Sequence, residues 1–121
     1  MLFRSYLRGA FFSELSDAAL APYVEPWLGA RGQDAFYRQI AQAEERFTDE
    51  VEPLYGEIRA PVLILWGEED RWIPVESAHR LHSRIPQSEL QLVPEAGHFL
   101  QEDAPQAVAA HLIRFFGRHA A

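Results

Sequence analysis

The sequence predicts an α/β chain, with an all-helical segment over residues 1–55 followed by strand, helix, strand and helix over residues 56–121, the two strands being parallel. Three observations carry this assignment. Pro61-Val-Leu-Ile-Leu-Trp66 is a continuous apolar run rather than an alternating one, the pattern of a strand buried on both faces of a parallel sheet. A second short run, Leu90-Gln-Leu-Val93, follows after a single amphipathic stretch, the kind of crossover that parallel strands require. The residues before Tyr55, by contrast, repeat at helical spacing and are punctuated by Pro and Gly.

In chain order, Leu2, Phe3, Tyr6, Leu7 and Ala10 mark a first helix, and Ser16-Asp17 caps a second that carries Ala19, Leu20, Tyr23 and Val24. Trp27 and Leu28 stop at Gly29. A third helix is expected from Gln33 to Arg46, with Phe36, Tyr37, Ile40 and Ala43 on one side, and a short fourth from Thr48 to Tyr55 despite Pro53. Pro22, Pro26 and Pro53 keep these helices short or kinked. After the strand Val62 to Trp66, a helix begins near Pro74 and ends before Pro86, with Ala78, Leu81, His82 and Ile85 on one face. The last helix opens at Asp103-Ala-Pro-Gln106, read as a capping box with Pro in the first turn, and its core stripe is Val108, Leu112, Ile113, Phe115 and Phe116.

A length of 121 residues at 48% hydrophobic content suits one globular domain rather than a disordered segment. The formal charge of −7, from 11 basic and 18 acidic residues, repels phosphate backbones and anionic lipid, so nucleic acid is not an expected partner. No run approaches the roughly 20 apolar residues of a membrane span. With no cysteine and no export signal at the N-terminus, the expectation is a soluble, cytoplasmic protein. One physical problem stands out. Two strands and one crossover cannot cover both faces and both edges of so apolar a run, and isolated two-stranded sheets are marginal in water. The chain is therefore expected to be the C-terminal part of a larger α/β protein, or to self-associate through an exposed sheet edge.

The leading chemical candidates are Asp70, in the Gly67-Glu-Glu-Asp70 turn after the first strand, and His98, in Gly97-His98-Phe99 after the second. Groups just past the C-terminal ends of neighbouring parallel strands can meet, and a carboxylate bonded to the far ring nitrogen fixes a histidine as a general base. Taken alone, Asp70 would be read as a turn-closing carboxylate. Glu68 and Glu69 are rivals for the acid but are expected to face water. His79 and His82 lie three apart on a helix, without the further ligands zinc would want, and are read as packed or solvent-facing. His111 and His119 default to surface roles. The acidic stretch Glu44-Glu45 and Asp49-Glu50-Val51-Glu52 is a solvated face. Nothing here supplies the nucleophile such a base would activate, since there is no Gly-x-Ser-x-Gly and no cysteine.

Arg59-Ala-Pro-Val-Leu-Ile-Leu-Trp-Gly-Glu-Glu-Asp-Arg-Trp-Ile-Pro74, followed by Val93-Pro-Glu-Ala-Gly-His-Phe99, resembles the C-terminal end of the α/β-hydrolase superfamily, over about Glu57 to Phe116. The resemblance implies that Asp70 is the acid and His98 the base of a catalytic triad, and that residues 1–55 are the cap over a substrate pocket. It implies no cofactor and no metal. Phe99, beside the base, and Trp72 become candidate contacts for a small apolar organic substrate. Trp27, Phe11, Phe12, Phe36 and Tyr37 could line the same pocket or simply pack the cap on the core. The nucleophile elbow, the loop with the other oxyanion donor and the early strands are missing, so the 121 residues alone are expected to be inactive. A serine nucleophile in the complete parent would imply hydrolysis of an ester, lactone, amide or carbon–carbon bond beside a carbonyl. An aspartate would imply a haloalkane dehalogenase or epoxide hydrolase. The competing class is a non-catalytic binding or assembly module, and the Asp70 to His98 separation discriminates between the two. Met1 to Ser5 could be foreign to the parent.

Overall fold

The computed structural model describes residues 2–120, with side chains from Phe3 onward. Helix α1 (Leu2–Arg8) leads through Gly9 into Ala10 and Phe11, and α2 (Asp17–Val24) packs back against it. Ser16 caps α2 as expected, its hydroxyl accepting from the Ala19 N–H at 3.2 Å. Leu7, Ala10, Phe11, Leu20 and Val24 form a buried cluster, with Trp72 and Phe99 from the second half of the chain packed on it. This cluster ties the helical segment to the strand-end loops.

The middle of the chain departs from the expectation. Helix α3 spans Gly29–Ala41, starting four residues before Gln33 and ending five before Arg46. Gly29 starts the helix rather than ending one, because its φ of +73° is a left-handed conformation that favours glycine and turns the chain sharply after the 3-10 turn Glu25–Trp27. The single helix expected over Thr48 to Tyr55 is replaced by one turn, α4 (Arg46–Asp49), and a 3-10 segment, Glu52–Glu57. Pro53 has no N–H to continue the α-helical ladder, so the chain restarts around it.

The second half follows the expected order. Strand β1 (Val62–Gly67) and strand β2 (Ser88–Val93) pair in parallel, in register from Val62 with Ser88 to Gly67 with Val93, and α5 (Glu76–Arg84) is the crossover. Ala78 of α5 and Ile85 just beyond it are buried, while Leu81 and His82 are half-buried. Beyond β2 come a short turn of helix, α6 (Leu100–Asp103), and α7 (Pro105–His119). Two expectations fail here. Asp103 does not cap α7, whose N-cap position is Ala104 with no side-chain bond. Of the proposed core stripe only Phe115 is buried, with Val108 half-buried and Leu112, Ile113 and Phe116 exposed at 39%, 74% and 63%. The reason is the sheet: among the described residues it has two strands, too narrow to cover that helix face. The apolar run of β1 is left in the same state, with Ile64 buried but Val62, Leu63, Leu65 and Trp66 only partly so.

Candidate active site

The end of β1 is held against the end of β2 by backbone geometry. Gly67 lies so close to the β2 loop that a Cβ would stand 2.3 Å from the carbonyl oxygens of both Ala96 and Gly97, so no side chain fits. The Glu68 N–H donates to the Val93 carbonyl and the Glu69 N–H to Ala96, each at 3.0 Å. Glu68 and Glu69 themselves are exposed, which leaves Asp70 as the turn's inward carboxylate. Its Oδ1 accepts from the N–H groups of Trp72 at 2.8 Å and Ile73 at 2.9 Å, and its Oδ2 lies 2.9 Å from His98 Nδ1.

The Asp70 side chain is 5% exposed and that of His98 29%. Burial pulls the Asp70 carboxyl upward, but the Ile73 N–H, His98 and the Trp72 N–H together outweigh it and hold the group below its ordinary value of 3.8. An ionised carboxylate only accepts, so Nδ1 of the imidazole carries the proton and Nε2 is the free base in the neutral ring. Among the described residues Nε2 has no hydrogen-bond partner, and no polar side-chain atom there is both buried and unpartnered, so Nε2 is open to an incoming group. The pair borders a cavity of 140 Å³ lined also by Leu65, Trp66, Gly97 and Leu100.

The aromatic candidates divide. Trp72 tilts over His98 with ring centroids 4.9 Å apart, and Tyr6 stacks on Trp72 at 4.5 Å. Tyr6 in turn lines an apolar cleft of 360 Å³ with Phe3, Phe36, Tyr37 and Ile40, so an aromatic path runs from the cleft to the histidine. A neighbouring cleft of 210 Å³ adds Trp27. Phe99 lies 5.8 Å from His98 but packs against Phe11 and Tyr23, and Phe11 is a core residue at 3% exposure that borders a separate cleft beside Arg8 and Arg71 rather than the aromatic one. Phe12 faces outward at 39%. His79 is exposed, and His82 Nδ1 lies 2.7 Å from Ser88 Oγ. Two contributors escaped the sequence reading. Tyr6 carries no signal beyond a helical stripe, and Asp103, whose carboxylate accepts the Gly97 N–H beside the histidine at 2.9 Å, was disguised by its capping-box context.

The sequence profile of the alpha/beta hydrolase family matches residues 2–111, a span that takes in most of Met1 to Ser5 as well as Asp70 and His98. The chain belongs to that family. An alpha/beta hydrolase fold protein from Burkholderia ambifaria superposes on this hydrolase-family chain with a TM-score of 0.88 and 46% identity, covering 93% of it and 42% of the Burkholderia chain. The 2-hydroxy-6-oxononadienedioate/2-hydroxy-6-oxononatrienedioate hydrolase of Cupriavidus pinatubonensis is 30% identical over 106 residues, covering 87% of this chain and 36% of the relative. A membrane phospholipase A described as a bacterial virulence factor aligns with a TM-score of 0.70 and 26% identity, covering 98% of this chain and 38% of its own. The chain thus spans about two fifths or less of the length of these relatives, and it is a partial α/β-hydrolase fold.

Proposed function

We propose that the chain is the C-terminal part of a cofactor-independent hydrolase, in which His98, oriented by Asp70, is the general base. The observation that carries this reading is the 2.9 Å contact of Asp70 Oδ2 with His98 Nδ1, inside the roughly 2.6–3.2 Å reach of a working acid–base pair. A non-catalytic module would have no need of a buried carboxylate aimed at a histidine whose other nitrogen is open. In this reading Nε2 takes the proton from a nucleophile supplied outside the 121 residues, and the imidazolium then returns it to the leaving group. Residues 1–55 serve as the cap, and Trp72 and Phe99 contact a small organic substrate.

In this reading the bond cleaved belongs to an ester, a lactone, an amide or a carbon–carbon bond beside a carbonyl. The relatives named 2-hydroxy-6-oxononadienedioate/2-hydroxy-6-oxononatrienedioate hydrolase support a substrate bearing a ketone. The 121 residues by themselves hold no nucleophile elbow and are inactive in this reading.

Asp70→Asn in the complete protein is the test. With its oxygen kept on the Trp72 and Ile73 N–H groups, the new amide would turn its NH₂ toward His98, force Nδ1 to accept, and move the ring proton to Nε2, where a base needs a lone pair. Turnover of a ketone or ester substrate should fall about 10⁴-fold, as the equivalent change does in a serine protease, with the far-ultraviolet circular dichroism unchanged. Near-normal turnover would remove Asp70 from the mechanism.

A further inference from the structure

Asp103 makes an unusual set of bonds for a residue at the end of a one-turn helix. Its Oδ2 accepts from the backbone N–H groups of Phe12 and Gly97, both at 2.9 Å, and its Oδ1 accepts from Ser13 N–H at 3.0 Å. On the other side of His98, the Phe99 N–H donates to the Ala10 carbonyl at 3.1 Å. Gly97 sits so tightly on the same segment that a Cβ would come within 2.7 Å of the Ala10 oxygen. The N–H groups of the residues on either side of the histidine are therefore both pinned to residues 10–13, that of Gly97 through Asp103 and that of Phe99 directly.

We propose that Asp103 is a positioning residue for His98, setting the backbone from which the imidazole reaches Asp70 and locking that backbone to the turn after α1. This rests on the reading of His98 as a base. The site calls for a carboxylate because three N–H donors converge on it and a carboxylate presents only acceptors, whereas an asparagine would turn an NH₂ against an N–H. Asp103 touches no reacting atom and acts only through the histidine. The same bonds link the proposed cap to the proposed base, so displacement of the residue 10–13 turn would be felt at His98.

Nuclear magnetic resonance of the 121-residue chain tests this without turnover. In the wild-type chain the amide protons of Phe12, Ser13 and Gly97 should shift along one shared curve as Asp103 takes up its proton, and His98 should show a hydrogen-bonded Nδ1 proton. Asp103→Asn should lose that Nδ1 signal, while Ser16→Ala, which removes the cap bond to the Ala19 N–H and none of the bonds to Asp103 or His98, should keep it. An unchanged Nδ1 signal in Asp103→Asn, or three amides that titrate separately, overturns the proposal. Should that variant fail to fold, the shared titration in the wild type decides. Amides that titrate together beside a His98 lacking the Nδ1 signal in the wild type would overturn the base assignment itself and leave Asp103 a clamp of the fold. In the complete enzyme, Asp103→Asn should lower kcat about 100-fold with KM little changed, the size expected of a misplaced catalytic group, and Asp103→Glu should restore part of it.

Discussion

The two oxygens of Asp70 have separate tasks. Oδ1 is committed to the Trp72 and Ile73 N–H groups, which fixes the carboxylate plane whether or not the histidine is present, and Oδ2 is thereby aimed at Nδ1. Two neutral N–H donors and the imidazole favour the charged form strongly enough to hold the carboxyl low despite its burial. The pH consequence follows from that direction. A carboxyl that binds its proton more weakly in the folded than in the unfolded state contributes stability that is complete above the unfolded value, near 3.8, and is lost as pH falls through the lowered folded value. Urea melts across the acid range should show wild-type stability falling through that window, with a shallower fall in Asp70→Asn. Equal slopes would mean that Asp70 is not held low. Asp70 and His98 could be picked out from the sequence because each follows an apolar strand directly, so their meeting needs only local pattern and strand pairing. Asp103 could not, since its context mimics a helix cap while its partners Phe12 and Ser13 lie 91 and 90 positions upstream.

At the level of elements, the strand–helix–strand unit is what brings Asp70 and His98 together, and its tightest point is Gly67. Gly67→Ala would press a methyl group onto two backbone carbonyls that cannot rotate away, at Ala96 and Gly97. Overpacking of that kind costs about 1–3 kcal/mol, and the relief available is to part the ends of the strands. Thermal denaturation should show the loss, and the hydrogen-bonded Nδ1 proton of His98 should weaken with it; a variant that keeps both would show that the loops can yield. β1, α5 and β2 were legible because a long apolar run, a crossover and a second run admit few arrangements. The stretch from Gly29 to Glu57 was not, because its boundaries depend on one left-handed glycine and one proline rather than on periodicity. The exposed stripe of α7 shows the converse: periodicity correctly marks an apolar face, but burial depends on whether a neighbour is there to cover it.

For the whole molecule, uncovered apolar surface is the dominant fact. Each strand of the two-stranded sheet has one edge without a strand partner among the described residues, β1 is only partly covered, and Leu112, Ile113 and Phe116 face outward. Open edges and apolar patches of this kind recruit another chain. Sedimentation at micromolar concentration should therefore give a mass above the 13.8 kDa of one chain, falling on dilution, and a single monomeric species at all concentrations would count against edge pairing. The bonds around His98 also differ in the length of chain they close. Asp70 and His98 are 28 positions apart, within the same short loop that the strands close, whereas Asp103 reaches back 91 positions to Phe12. Closing the longer loop costs about 1 kcal/mol more in chain entropy, and non-local contacts form late. The Asp70 to His98 contact therefore asks little of the chain beyond the pairing of its two strands, whereas the tie between Asp103 and Phe12 spans nearly the whole of it.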